Sequence, residues 1–219
     1  MSRALFEKTG RAVWISHLDL MRLFQRAFKR SGLPLTHTHG FNPRPSVSIA
    51  LPLSVGVESH CELLDFDLEG QSIPCDEICA RLNEGLIDGV QVRKVYDDGQ
   101  KIKHLSYLDC TVTLEYDDAI PHHAAAQIDE LFHQESLIVE KKGKNGVTEQ
   151  DIAPMIRRLE VQQTDSITLL LTARICCQNP TLNPMQLVAA IERYLPEYRP
   201  NFAKCSRIEI YDENQKIFR

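Results

Sequence analysis

The sequence has 219 residues, of which 43% are apolar and 25% charged, and its formal net charge at pH 7 is −5. These values are typical of a globular chain that buries one large core or two small ones. They exclude a surface that is basic throughout, as in a protein coated with nucleic acid, and no apolar run approaches the roughly 20 residues that a membrane-spanning helix needs.

The first predicted elements are strand pieces at 5–8 and 11–15, separated by a turn at 9–10, and then a helix over 17–31. Ser16 and Asp19 have the spacing of a capping box, in which the serine oxygen and the carboxylate each accept a hydrogen bond from a free N–H of the first turn. Apolar residues recur with the period of a helix that buries one face: Leu20, Met21, Phe24, Ala27 and Phe28. The opposite face is basic and carries Arg22, Arg26, Lys29 and Arg30.

Gly32 is predicted to end this helix, and the segment 36–45 (THTHGFNPRP) follows. Its content of Gly, Pro, Asn and His predicts a shaped loop without regular structure. Strands are then predicted at 46–51 and 60–68, a helix at 74–86 and a strand at 90–96. The first half thus has the order strand, helix, strand, strand, helix, strand. The polar stretch 97–107 is predicted to be a linker.

The second half repeats this order. Strands are predicted at 108–116, 137–142, 158–162, 166–175 and 205–211, and helices at 121–133 and 183–194. A turn is predicted at 143–146 and a helical turn at 151–156. Two successive βαββαβ patterns predict an α+β fold of tandem ferredoxin-like domains, residues 1–98 and 106–219.

Charge is distributed unevenly along the chain. Residues 1–57 hold eight Lys and Arg against two Asp and Glu, a net charge of +6, whereas the remainder holds 17 against 28, a net charge of −11. A basic first quarter on an acidic body indicates either a face for a polyanion or a solvated helix surface. Seven cysteines without disulfide-framework spacing, and a beginning without the apolar core of a signal peptide, lead us to expect a cytoplasmic protein.

The basic helix and the loop contain the candidate site residues. Phosphate contacts are predicted for Arg22, Arg26, Lys29, Arg30 and Arg44, because guanidinium groups match phosphate oxygens. The predicted nucleic-acid-binding set also includes His39, Phe41 and Asn42. Phe41 either stacks on a base or packs against the core beneath the loop, and we favour packing.

Histidines and cysteines offer further candidates. His17, at the first helical position, is a candidate general acid or base for RNA cleavage, although a hydrogen bond to a neighbouring loop is the favoured role. His37 and His39 are spaced as in some metal sites, but no carboxylate or thiol accompanies them at ligand spacing, so no metal is expected. Cys75 and Cys79 share one helix face, and no cysteine set suits an iron–sulfur cluster. We therefore expect no cofactor.

The runs F-x-K-x-G-R, ISHLDLMR, RAFKRSGLPL, GFNPRP and PLSVGVES closely resemble the radical-SAM-linked family of unknown function, densely over residues 5–70 and loosely beyond. The resemblance implies a free-standing member whose partner is a radical SAM protein or an RNase of the E/G type. Members of that family more usually have tyrosine and serine or glutamate where His37 to His39 stand, and often histidine at Arg44. Without cluster-binding cysteines, this chain is not itself the radical SAM enzyme.

Two ferredoxin-like domains with a basic first helix are also similar to the CRISPR repeat-processing endoribonucleases. Their glycine-rich C-terminal loop is absent, since residues 195–219 contain no glycine. The leading hypothesis is a non-catalytic RNA-binding accessory protein that acts on tRNA or rRNA beside a modification or processing enzyme. The alternatives are an endoribonuclease that uses His17 and a protein–protein adaptor that docks its basic face on an acidic enzyme.

Overall fold

The computed structural model describes residues 1–70, 72–143 and 146–219. Its chain divides into two compact units, residues 1–102 with Arg219, and residues 103–218. Both units contain helices and antiparallel strands, so the predicted α+β class is confirmed. None of the helices in the described ranges has the length and apolar character needed to cross a membrane.

The first unit contains four strands and two helices in the predicted order. They are β1 (Ser2–Lys8), α1 (His17–Arg30), β2 (Val47–Ile49), β3 (Glu58–Phe66), α2 (Cys75–Gly85) and β4 (Val90–Tyr96). The strands lie in the spatial order β4, β1, β3, β2, and each of these pairs is antiparallel. Ala4 of β1, for example, lies opposite Leu64 of β3 and Val95 of β4.

Helix α1 packs on this sheet through the apolar face that its sequence predicts. Phe24 meets Phe6 of β1 with ring centroids 4.8 Å apart, and Phe28 meets Phe66 of β3 at 4.9 Å. All four rings are buried. Such aromatic pairs add about 0.5–1.5 kcal/mol each beyond the burial of their area. This packing fixes α1 with its basic face turned away from the core.

The predicted strand at 11–15 is wrong, because residues Gly10–Trp14 form a 3₁₀ helix. Gly10 has a φ of +55°, which favours glycine and turns the chain out of the strand. The buried Lys8 ammonium then donates to the carbonyl oxygens of Val13 at 3.0 Å and Ile15 at 2.8 Å. Because a buried ammonium needs hydrogen-bond acceptors, the 3₁₀ helix, which brings these two carbonyl oxygens to Lys8, is preferred over a second strand.

The second unit contains β5 (Leu105–Glu115), α3 (Ala124–Phe132), β6 (Ile138–Gly143), β7 (Gly146–Asp151), β8 (Ile156–Gln163), β9 (Thr168–Cys176), α4 (Met185–Tyr194) and β10 (Phe202–Asp212). Its main strands lie in the order β10, β5, β9, β8, all antiparallel, and β6 pairs with β7 as a separate hairpin. The sequence analysis missed β7. The predicted turn at 143–146 includes residues 144 and 145, which lie outside the described residues.

Both units therefore show the strand order 4-1-3-2, counting the four main strands of each, which a βαββαβ domain requires. The assignment to tandem ferredoxin-like domains, with boundaries at 1–98 and 106–219, stays a prediction.

Candidate nucleic-acid interface

The start of α1 is capped by Ser16, whose Oγ accepts a hydrogen bond from the backbone N–H of Asp19 at 3.2 Å. The second hydrogen bond of the predicted capping box, from a backbone N–H to the Asp19 carboxylate, does not form. The Asp19 carboxylate accepts from the Ser16 hydroxyl at 2.8 Å and from Arg22 Nη1 at 2.9 Å rather than from a backbone N–H. These two hydrogen bonds lower the pKa of Asp19, with that from Ser16 contributing most. Asp19 therefore stays ionised and positions the first arginine of the helix.

The basic residues of α1 are exposed, as their spacing predicts: Arg22, Arg26, Lys29 and Arg30. Within the described ranges, Arg22 alone among these four pairs with a carboxylate. Arg30 Nε donates to the carbonyl oxygen of Arg26 at 3.4 Å, which helps to satisfy the last turn. Arg22 and Arg26, one turn apart, border a recess on either side of them, and we call this pair the arginine ridge.

The first recess has a volume of about 530 Å³ and lies between α1 and the loop that follows it. The ridge and Lys29 supply its cationic edge. Its apolar floor consists of the exposed Pro34, the partly exposed Pro45 and the buried side chains of Phe28, Leu33 and Leu35. Further lining comes from Gln25, His37 and Glu69. An apolar floor beside several cations can hold a ligand that has both a flat apolar part and a negative charge.

The second recess, of about 460 Å³, lies on the other side of the ridge. Ile15, Leu23 and Ile87 contribute the apolar part of its lining, and Ile87 is 45% exposed. Arg30 adds a third guanidinium to its edge, and Asp19 lines it as well. Sequence reasoning missed Ile87 and Gln25, because neither stands in a motif; the helical position of Gln25, between Arg22 and Lys29, was the available signal.

The loop is more ordered than its composition predicts. Thr36 N–H donates to the carbonyl of Asp67 at 2.9 Å, and the carbonyl of Thr36 accepts from Ser46 N–H at 2.7 Å. Farther out, Thr38 and Arg44 are joined by two hydrogen bonds, at 2.8 Å between backbone groups and at 3.0 Å to the threonine hydroxyl. The two legs of the loop are thus pinned together, and residues 38–44, closed by this pair, form its tip.

The tip presents its side chains to solvent. His39, Asn42 and Arg44 are exposed, and Phe41 is fully exposed. The favoured prediction that Phe41 packs against the core is therefore wrong. The hydrogen bonds between the two legs hold the tip away from the sheet, so the phenyl ring cannot reach the core.

His17 and His37 do not assemble a reactive centre with other described residues. His17 is half-buried, and its Nδ1 atom is inaccessible to solvent. No described residue forms a hydrogen bond with this atom, so the expected hydrogen bond to a neighbouring loop is not present there. His37 Nδ1 lies 3.8 Å from Glu69 Oε1 at the edge of the first recess. In the ranges that the structure describes, no group of three His, Cys, Asp or Glu side chains is arranged to hold a metal ion.

Two solved structures are similar to this chain. The chain is similar to part of a solved Cbf5-Nop10-Gar1 complex, with a TM-score of 0.52, 9% identity, and coverage of 97% of this chain and 50% of that one. It is also similar to part of an H/ACA RNP bound to a substrate RNA containing 2'-deoxyuridine, with a TM-score of 0.48, 7% identity, and coverage of 98% and 48%. This chain thus spans about half the length of each. At 9% identity the first likeness shows the fold alone.

No curated protein matches the chain. Residues 2–184, which include the whole of the basic helix, the loop and both recesses, match one protein family. The chain belongs to that family, described as "Uncharacterized protein conserved in bacteria (DUF2344)".

Proposed function

We propose that this protein is a non-catalytic RNA-binding accessory protein of the cytoplasm, with α1 and the loop 36–46 as its RNA-binding surface. The observation that carries the proposal is the arginine ridge, flanked by Lys29 and Arg30. Arg26, Lys29 and Arg30 have no carboxylate partner among the described residues. Such unneutralised cations on a protein of net charge −5 favour binding of a polyanion at one face.

The loop supports the same proposal. Its pinned legs present Phe41 and Arg44 at one exposed tip, where an aromatic ring and a guanidinium stand three residues apart. RNA-binding proteins use exposed aromatic rings to stack on unpaired bases and arginines to contact phosphates. The acidic remainder of the chain, residues 58–219, would repel RNA, which favours binding at the basic residues 1–57.

The accessory role rests on the resemblance to the radical-SAM-linked family and on exposed apolar residues. Trp14, at the end of the 3₁₀ helix, and Leu18, in the first turn of α1, are each 67% exposed. Exposed apolar groups beside a charged surface are typical of sites where proteins associate. We propose that tRNA or rRNA is held here while a radical SAM modification enzyme or an RNase of the E/G type acts on it.

Fluorescence anisotropy with labelled tRNA and rRNA fragments tests RNA binding directly. The Arg22→Ala, Arg26→Ala double variant should weaken binding and flatten the slope of log affinity against log salt by about one to two units. Its melting temperature should stay near wild type, because exposed charges contribute under about 0.5 kcal/mol each to folding.

The matched control is the Arg193→Ala, Arg199→Ala double variant. It removes the same charge from exposed arginines of the second unit that are paired with Glu149 and Glu192. The control should bind RNA as wild type does. Equal loss of affinity in both double variants, or unchanged affinity and salt slope in the ridge variant, would reject the proposed surface.

A further inference from the structure

We infer that the interface takes single-stranded rather than duplex RNA, with the phosphates on the arginine ridge and unstacked bases in the two recesses. This inference rests on the proposed RNA binding and names the class of RNA that the surface accepts. It comes from the combination of charge and apolar surface around α1.

The first step concerns what lies beside the cations. In the first recess, the edge carries Arg22, Arg26 and Lys29, while the accessible prolines Pro34 and Pro45 and the buried side chains behind α1 form the floor. A duplex presents phosphates and sugar hydroxyls on its outside and keeps its base faces stacked inside, so it would contact the cations and leave this floor unused. A single strand presents a phosphate and an apolar base face in each nucleotide. It satisfies both parts of the recess at once.

The second step concerns size and position. The recesses, of about 530 Å³ and 460 Å³, lie on opposite sides of the ridge, with Arg22 and Arg26 bordering both. Each volume falls within the range of about 300–1,000 Å³ that small-molecule sites occupy, which accommodates a nucleobase with its ribose. A flexible strand that follows the ridge can splay successive bases to either side. Paired bases in a rigid duplex cannot do so.

The third step concerns the apolar residue of the second recess that is accessible without disturbing the core. Ile87 is 45% exposed and lies in the connection between α2 and β4. Its carbonyl accepts from Val90 N–H at 3.1 Å, a backbone interaction that Ile87→Ala retains. The side chain can therefore be removed to test contact with a base while the fold is preserved.

The experiment compares one labelled, unstructured 12-nucleotide RNA with the same strand annealed to its complement, using wild-type protein at moderate salt. The single strand should bind at least about tenfold more tightly, the equivalent of one good base contact. Ile87→Ala should lower the affinity for the single strand about threefold or more and leave the affinity for the duplex unchanged. Ile167→Ala, at an isoleucine of the second unit that is 41% exposed, is the matched control and should change neither.

A 2-aminopurine base within the single strand adds a spectroscopic test. Its fluorescence is quenched by stacking, so seating in an aliphatic recess should raise the emission, and Ile87→Ala should reduce that rise. Equal or tighter duplex binding would overturn the inference and leave the proposed RNA binding intact, as would an Ile87→Ala variant that loses affinity for both RNAs equally. Failure to bind either RNA would overturn the inference and the proposed function together.

Discussion

Arg22 Nη1 lies 2.9 Å from Asp19 Oδ1, so the acid in the first turn of α1 holds the first arginine of the ridge. The same carboxylate accepts a hydrogen bond from the Ser16 hydroxyl, which joins the helix cap to the RNA-binding surface that we propose. Asp19 thereby acts on the site in two opposite ways. It orients a guanidinium, and it cancels part of its charge.

We expect the charge effect to prevail in an Asp19→Asn variant. Both side chains of the pair are more than half exposed, so the ion pair orders Arg22 only modestly, whereas removal of the carboxylate adds one net positive charge to the ridge. RNA affinity should rise about twofold at low salt, with a steeper salt dependence. Anisotropy titrations at several salt concentrations measure both. A drop in affinity would show that orientation of Arg22 matters more than charge.

Phe41→Ala should lower the affinity for single-stranded RNA by about fivefold or more, because stacking of a base on an aromatic ring contributes roughly 1–3 kcal/mol. The thermal stability should be unchanged, since the ring is fully exposed and contributes nothing to the core. Phe202→Ala is the matched control, at a phenylalanine of the second unit that is 54% exposed. If both variants bind alike, Phe41 takes no part in binding.

His17→Ala separates the binding role from the nuclease alternative. The half-buried imidazole has an inaccessible Nδ1 that no described residue satisfies, so its removal should relieve a desolvation cost of about 1–3 kcal/mol that offsets the lost packing. RNA affinity and melting temperature should both stay near wild type. Incubation of labelled RNA with wild type and variant should give intact RNA in both cases. Cleavage by the wild type alone would favour the endoribonuclease.

Asp109 provides a prediction for pH. Its carboxylate accepts from Arg174 Nε at 2.7 Å and from the Tyr211 hydroxyl at 2.9 Å. Burial by itself raises the pKa of Asp109, but the hydrogen bonds from Arg174 and Tyr211 and the nearby arginine charges outweigh burial and hold this pKa below its ordinary value. Because the folded pKa is depressed, the stabilisation is present above the unfolded pKa of about 3.9 and is lost as the pH falls through the folded value.

Asp109→Asn should therefore lower the free energy of unfolding at pH 7 by about 3–5 kcal/mol, since it leaves the largely buried Arg174 guanidinium without its carboxylate. It should also flatten the loss of stability below about pH 4. Urea unfolding between pH 7 and pH 3 measures both effects. Asp118→Asn, at an exposed aspartate, is the control and should keep the wild-type profile. If the free energy of unfolding falls equally steeply below about pH 4 in both variants, Asp109 is not the source of this acid dependence.

Limited proteolysis tests the predicted domain boundaries. Lys101 and Lys103 are exposed and lie within the predicted linker 97–107, so brief trypsin treatment should cut there first. Mass spectrometry of the fragments locates the cut. First cleavage at Arg81 inside α2, with the 97–107 segment intact, would contradict boundaries at 1–98 and 106–219.

The sequence by itself determined helix α1 and its two faces. These features depend on residues about one helical turn apart in sequence: the serine cap, the spacing of Phe24 and Phe28, and the basic stripe. Such short spacings are visible in the sequence itself. The order of strands and helices in the first unit followed from the same kind of pattern. The exception is residues 11–15, which do not form the predicted strand, because the buried Lys8 ammonium binds the carbonyl oxygens of Val13 and Ile15.

The tertiary structure alone decided what surrounds the basic stripe. Leu33 and Leu35 follow α1 and join Phe28 beneath the ridge, and Ile87 reaches the other side from the connection after α2. The position of Phe41 likewise depended on hydrogen bonds between the two legs of the loop, such as that from Ser46 N–H to the carbonyl of Thr36. Contacts between residues far apart in sequence have no fixed spacing, so they emerge only when the chain has folded.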